Sequence, residues 1–559
     1  MAFAAVAMFA APTADAGVAV KKFEATPSTT QAGGHPDVVI TFENESRADP
    51  YIPDSCNCNG VRDAKVSLPA GFIGNPHATP QCSSLEFALA RCPVDSQVGT
   101  SFAKVLLYEE CCFSFKTALF NIEPGPGQAG LLGFKAILFN FPIYTVLSAR
   151  TGGDFGLNAK VTGIGQAFGL TEYSQKLWGV PADPSHDSER YGPSVTGFLG
   201  EPPNVSNSPL TPFLQNPTRC AGPQESQIEL TAYDHGVTYG SAPWPATTGC
   251  DQLDFKPSLS AVPSTRQTDS PTGLDVDLAV PQVLSPSTPS DSQIREAEIT
   301  LPKGFSINPN AADGKEFCTD VQAKLGTEDA AACPEFAKVG TVSLTSTALP
   351  GPVPGGIYLG EPKPGDPYRL ILVADGYATH IKLPGSVKAD PESGQLVTSF
   401  KNLPQSPFSR FTMHFFGSER GFLATPSQCG TYAVQSRFVS WNSVQPDQDS
   451  TQFFTLDSGP GGSPCPGAAR AFNPRLSAST ASNDAGTHSP FSLELTRRDG
   501  DQLLKSLSVK TPPGFSATLK GVPYCSEAAL AAVAGTSRDG RAELAASACP
   551  AGSQIGSAV

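Results

Sequence analysis

No stretch of this 559-residue chain approaches the roughly twenty consecutive apolar residues that a membrane-spanning helix requires, so no transmembrane segment is expected. Positive charge is scarce: 38 Lys and Arg stand against 52 Asp and Glu, a formal net charge of −14, without a basic run. Nucleic acid and anionic membrane surfaces bind cationic patches, and neither is an expected partner. The chain also lacks a GxSxG elbow, an HExxH pair, a phosphate-cradling glycine loop and a dinucleotide fingerprint. No catalytic residue, metal site or cofactor is therefore assigned. A hydrolase without a recognisable motif stays as the enzymatic alternative.

Turn formers are abundant instead. The 53 glycines and 53 prolines leave little room for long helices and favour short strands joined by turns. The length is too great for a single core, and at roughly 100 to 200 residues per domain it divides into about three to five. Fourteen cysteines fit an exported protein, because disulfides persist in oxidising compartments. Residues 3–11 form a short apolar run, followed by Ala14-Asp15-Ala16, a small-x-small cleavage pattern that would leave Gly17 first. Residues 1–16 thus read as a signal peptide, although no Lys or Arg precedes the apolar run, and the protein is expected outside the cell, secreted or on its surface.

One cysteine-bearing block occurs three times. It runs from Val66-Ser67-Leu68-Pro69 through Gly71-Phe72 to Cys82, Cys92-Pro93 and Val98-Gly99-Thr100. The second copy has Ile299-Thr300-Leu301-Pro302, Gly304-Phe305, Cys318, Cys333-Pro334 and Val339-Gly340-Thr341. The third has Val509-Lys510-Thr511-Pro512, Gly514-Phe515, Cys525, Cys549-Pro550 and Ile555-Gly556-Ser557. In each, the closing apolar residue lies six positions after the second cysteine while the gap between the cysteines varies, the mark of a framework around a variable loop. Alternating strands precede each block: Val38, Ile40 and Phe42 on one face; Leu274, Val276, Leu278 and Val280; Phe491, Leu493 and Leu495. A second alternating strand follows, through Ala64, Val66 and Leu68, through Ala297, Ile299 and Leu301, and through Leu507 and Val509.

Between the paired cysteines, Ser83, Thr319 and Ser526 are candidate N-caps ahead of good helix formers, predicting one to three helical turns in each copy. Cys82 with Cys92, Cys318 with Cys333, and Cys525 with Cys549 would clip these inserts, each worth about 3 kcal/mol in the chain-entropy model. The later half of the period recurs as well. Phe120-Asn121-Ile122-Glu123-Pro124 matches Tyr358-Leu359-Gly360-Glu361-Pro362, and the spacing pairs Cys220 with Cys250 and Cys429 with Cys465.

The fold class is mainly β: tandem β-sandwich (Ig-like) modules, each with a short disulfide-clipped helical insert. Module 1 spans 17–254 with two β sub-domains split near 105–120, and module 2 spans 255–471, split near 345–355. Module 3 spans 472–559 and holds the first sub-domain only, so more chain is expected beyond Val559.

Four cysteines remain. Cys56, Cys58, Cys111 and Cys112 could form a zinc site, but structural zinc favours cysteines two to four residues apart, and two disulfides fit better. The stretch 178–190 has no counterpart in module 2. There Trp178, Asp183, His186, Asp187 and Glu189 could bind a cation or a polysaccharide if Trp178 is exposed; the alternative is a Pro-rich surface loop with solvated charges. Neighbouring Ser, His and Asp rarely make a triad, since triads assemble from distant segments. Asp375 with His380 lacks a nucleophile, and although Phe411, Phe415 and Phe416 could line a sugar platform, the alternation Phe411-Thr412-Met413-His414-Phe415 is more common in core packing.

The LPxGF, CP and VGT motifs, with the loop Trp178-Gly179-Val180-Pro181-Ala182-Asp183-Pro184-Ser185-His186-Asp187, resemble long uncharacterised exported repeat proteins of high-GC soil actinobacteria. The resemblance covers nearly all of the chain after the leader. It implies export and modularity and carries no catalytic residue. The expected function is an extracellular, non-enzymatic structural or adhesion-type repeat protein, with cell-wall or environmental polysaccharide or other surface proteins as partners. The alternative is a polysaccharide- or cation-binding module using residues 178–190.

Overall fold

The computed structural model describes residues 18–46, 60–107, 110–136, 141–165, 169–191, 204–308, 311, 314–467, 471–498, 501–502, 504–534, 543 and 545–558. The expected leader, Cys56 and Cys58 lie outside them. Cys111 and Cys112 fall on a described strand, but their side chains do not belong to the described set, so the pairing of these four cysteines is outside it too.

Module 1 opens with β1 (Val18–Pro27), β2 (Val38–Ser46), β3 (Val61–Ser67) and β4 (Ile73–Gly74). After the first insert come β5 (Gln97–Leu107), β6 (Glu110–Ile122), β7 (Gly130–Ala136), β8 (Phe141–Ala149) and β9 (Leu157–Val161). It closes with β10 (Gly169–Leu177), β11 (Leu214–Gln215), β12 (Gln224–Ala232) and β13 (Val237–Trp244). Eleven of these form one antiparallel sheet in the order β1-β2-β10-β5-β6-β7-β8-β9-β3-β12-β13. Its two edges face each other, since a Cβ on Gly240 of β13 would come within 2.7 Å of Val20 of β1. The sheet thus curls into a flattened, sandwich-like barrel, which leaves no long free edge.

Module 2 repeats this plan. Its strands are β14 (Ser258–Pro263), β15 (Pro271–Thr272), β16 (Leu274–Ala279), β17 (Ile294–Thr300) and β18 (Ser306–Ile307). There follow β19 (Lys338–Thr345), β20 (Val353–Gly360), β21 (Tyr368–Gly376), β22 (Thr379–Ala389) and β23 (Leu396–Phe400). The last are β24 (Arg410–Phe415), β25 (Leu423–Ala424), β26 (Gly430–Ser440) and β27 (Gln448–Leu456). The order β14-β16-β24-β19-β20-β21-β22-β23-β17-β26-β27 matches module 1 strand for strand.

A division of each module into two sub-domains does not appear in this pairing. The expected split at 105–120 falls where β5 and β6 pair, and that at 345–355 falls in the hairpin between β19 and β20. Each hairpin continues one sheet, so both halves of the period share one core.

The repeated motifs have local physical causes. In all three copies Pro-x-Gly-Phe is a tight turn: Phe72, Phe305 and Phe515 donate to the carbonyls of Pro69, Pro302 and Pro512 at 3.1, 3.3 and 3.1 Å. The glycines sit at φ +86°, +95° and +88°, which a side chain resists, as a type II turn demands. The turn drives Phe72 and Phe305 into their cores, and Phe72 packs on Trp244 at 5.1 Å between centroids. The Val-Gly-Thr glycine answers to a close approach instead. A Cβ on Gly99 would meet the Lys176 carbonyl at 2.0 Å, and one on Gly340 the His414 carbonyl at 2.5 Å, beside a β-bulge in each strand.

The inserts lie on the outside of the barrel. Cys82 docks on β6 through Cys82 N to Asn121 O and Glu123 N to Cys82 O; Cys318 docks on β20 through the same two bonds with Leu359 and Glu361. Strands β7 and β21 are therefore buried on both faces, and read as continuous apolar runs. In module 1 the insert holds a single short helix, α1 (Ser84–Ala88), with a Ser83/Glu86 capping box. Module 2 keeps the reciprocal bonds between Thr319 and Gln322 but forms turns rather than the expected helix. There Lys382 fixes the loop, donating to the carbonyls of Lys324, Thr327 and Asp329 at 3.1, 2.6 and 2.7 Å, which replaces helical bonding as the organiser.

Module 3 pairs β28 (Arg475–Thr480) with β29 (Phe491–Thr496) and carries α2 (Glu527–Ala534) in its insert. Residues 504–511 form no strand, although Leu507 and Val509 alternate. The matching β3 is held between β9 and β12, and no described strand stands in those places. Leu495 is accordingly 37% exposed, where the equivalent Leu278 is 7%. Gly99→Ala and Gly340→Ala should each destabilise the protein by about 2 kcal/mol or more, while Gly556→Ala, which meets nothing within 4 Å, stays within about 0.5 kcal/mol. Urea unfolding of the three variants checks this ordering.

Candidate functional site

The 178–190 stretch is a closed knot rather than an open loop. Trp178 follows β10, donates its amide to the Val98 carbonyl at 2.9 Å and is fully buried. Asp183 caps a short 3-10 turn at Pro184–Glu189 by accepting from Ser185 N, with Pro184 at a position where no backbone donor is needed. That turn stacks the His186 ring on Trp178, 4.7 Å between centroids and 10° from parallel. The buried Arg190 guanidinium lies 5.1 Å from the same indole.

Each charge in the knot has a partner. His186 Nε2 donates to the Asp37 carboxylate, 3.1 Å from both oxygens, and Gly179 N donates to it at 2.9 Å. Burial raises the Asp37 pKa, but His186 and the Gly179 amide outweigh it and hold the carboxyl below its usual value. Arg190 binds Asp187 at 3.1 Å and the Pro181 carbonyl at 2.6 Å. Glu189 takes Lys116 at 2.8 Å and Lys176 at 2.7 Å; against its partial burial, these two ammonium groups bring its pKa to about 2. Trp178 Nε1, His186 Nδ1 and Arg190 Nη1 are buried without a hydrogen-bond partner among the described residues, the setting in which folded proteins hold internal water.

This corrects two expectations. Trp178 offers no face to a sugar, because its ring is covered, and Asp187 and Glu189 are held by cations of the chain while Asp183 caps the turn, rather than being solvated. Among the described residues no group of three or more His, Cys, Asp or Glu could hold a metal ion. Asp375 and His380 are a cross-strand pair at 2.8 Å. The five expected pairs are joined: Cys82–Cys92, Cys220–Cys250, Cys318–Cys333, Cys429–Cys465 and Cys525–Cys549. Sequence reasoning missed the knot's closure because Asp37, Lys116 and Lys176 come from three other strands or loops.

The knot stands beside the joint between modules 1 and 2. Phe213 N and Leu214 N donate to the Gly179 carbonyl, and His35 spans from the Leu214 carbonyl at 2.9 Å to the Thr288 carbonyl of module 2 at 3.2 Å. Elsewhere across the joint Ser290 N donates to Gly33 O, His77 Nε2 binds Leu349 O at 3.0 Å, and Arg219 stacks over Trp441. Ala129 of module 1 packs directly on the module 2 core. Module 2's insert takes part too, since a Cβ on Gly152 would meet Thr327 at 2.7 Å.

Sequence reasoning also gave no sign of a chamber of about 180 Å³ at this joint. Its walls combine Leu147, Phe155 and Phe213 of module 1 with Leu372, Phe400 and Phe411 of module 2.

No family model matches this chain. No curated protein does either. Solved structures similar to it include the Enterococcus faecalis MSCRAMM ACE, at 9% identity and TM-score 0.16, over 78% of this chain and 94% of that one. The collagen adhesin CNA from S. aureus follows at 8% and 0.15, over 79% and 93%. The collagen binding domain of the Erysipelothrix rhusiopathiae surface protein RspB stands at 9% and 0.15, over 79% and 96%. The fold described above rests on the chain's own strand register.

Trp178→Ala should cost about 3–5 kcal/mol, by removing the ring on which His186 and Arg190 stack. Glu189 titrates below its usual 4.5, so its ion pairs contribute fully above that pH and are lost as pH falls through about 2. Glu189→Gln should therefore lower the melting temperature at pH 7 and match the parent near pH 2. Circular dichroism melts across that range read both variants, and an unchanged melt for E189Q at pH 7 removes the role assigned to the pairs.

Proposed function

We propose that the chain is an extracellular, non-enzymatic structural or adhesion-type repeat protein, in which docked β-modules hold a surface at a distance or present it to a partner. The observation that carries this reading is the joint: one end of module 1 closes directly onto the barrel of module 2, so the modules abut without a free linker. Two supports stand beside it. The same strand order and the same clip are built twice, while the charged cluster at 178–190 occurs once, as expected where stacking rather than shared chemistry is reused. Five joined cysteine pairs suit an oxidising compartment.

No described helix is long and apolar enough to cross a membrane. Wall polysaccharide, environmental polysaccharide and other surface proteins are the partners this reading suggests. The net charge of −14 disfavours polyanions among them. Small-angle scattering of the purified chain should give an elongated profile with a fixed angle between modules 1 and 2, and a globular profile would count against the scaffold. Peptide mapping without reductant should recover the five disulfides, whereas free thiols would remove the extracellular assignment.

A further inference from the structure

We propose that the chamber between modules 1 and 2 is a binding site for a small, uncharged, apolar molecule. No Asp, Glu, Lys, Arg or His is among the residues that line it. Several polar groups on its wall are committed to the protein: Asn121 Nδ2 donates to Pro76 O and Thr79 Oγ1, Ser346 Oγ to Pro407 O, and Thr379 Oγ1 to Tyr377 O. Internal water needs two to four polar partners, and a charged ligand would lose its hydration without compensation. An apolar occupant incurs neither cost.

Comparison of the two barrels shows how the space arises. The ladders place Phe42 in register with Leu278, because they pair with Tyr173 and Phe411 at the same step from Gly99 and Gly340. The same alignment sets Phe134 against Leu372 and Phe141 against Ile381. Module 1 thus fills its interior with the Phe42 and Phe134 rings, sets the half-exposed Phe141 at the rim and keeps a cavity of about 80 Å³, while module 2 carries aliphatic residues at these positions beside a cavity of about 180 Å³. An engineered cavity of about 150 Å³ with similar walls stays dry and takes up benzene or xenon, so the occupant has roughly six to eight non-hydrogen atoms. Because both modules supply walls, occupancy tightens the joint. The inference stands apart from the scaffold reading, whose test is the shape of the chain.

The test uses the purified full chain with benzene and hexane as apolar probes, and benzoate and hexanoate as charged counterparts. Benzene or hexane should raise the melting temperature by at least ~2 °C, and the carboxylates should not. Hexane against benzene separates a chain-shaped from a ring-shaped occupant. The L278F/L372F double variant, which introduces the residues module 1 already accommodates, should abolish the rise. Crystals under xenon pressure supply a reading that does not depend on that variant folding, with xenon expected between Phe155 and Phe400. No shift with either apolar probe, an equal shift with the carboxylates, an undiminished shift in the folded double variant, or a chamber without xenon would overturn the assignment.

Discussion

Antiparallel backbone pairing in one continuous register is the constraint on which this protein depends. Side chains alternate with a period of two, so a slip of one residue anywhere in the eleven-strand sheet would turn a strand's apolar face outward. Several devices hold the register. The bulge and close approach at Gly99 and Gly340 lock β5 to β10 and β19 to β24, and the turn at Gly71 and Gly304 sends Phe72 and Phe305 inward. The disulfide-clipped insert then covers the central strands, whose outer faces are as apolar as their inner ones. Module 3 shows the dependence by contrast: its alternation is intact, but two paired strands bury little of it.

The joint follows from that closure. The module 2 barrel interior ends in an apolar mouth, and module 1 covers it with Ala129, Leu147, Phe155 and Phe213. Polar contacts ring the apolar centre, among them those of His35, His77 and Arg219. Burial holds the His35 imidazole below its usual pKa against the pull of the Leu214, Thr288 and Ser285 carbonyls. The barrel interiors diverge where Phe42 and Phe134 of module 1 correspond to Leu278 and Leu372 of module 2, and those two leucines line the chamber.

The knot around Trp178 is the other place where the copies differ. In module 2 the register position of Trp178 is taken by Phe416, which stays 40% exposed, and no buried arginine follows. A buried guanidinium needs a partner of opposite charge and a buried imidazole N–H needs an acceptor, and Asp187 and Asp37 supply them. What looked like a set of available ligands is a set of groups largely paired within the chain beside the seam.

The sequence alone determined the β class and the five cysteine pairs, because these are carried by local signals that recur: period-two alternation, Pro-x-Gly-Phe turns, clip cysteines at fixed distance from a following Val-Gly-Thr or its equivalent, and Cys220/Cys250 at places matched by Cys429/Cys465. It also located the stretch 178–190 as peculiar to module 1. Only the tertiary structure decided that each period is one sheet rather than two sub-domains, that Trp178 is covered, and that a chamber lies between the modules. Those outcomes depend on pairing between residues far apart in the chain, such as Asp37 with His186 and Gly152 with Thr327, for which no local pattern exists. Burial is a property of what packs against a residue, and a linear pattern of aromatic and charged side chains reads alike whether it faces solvent or another strand.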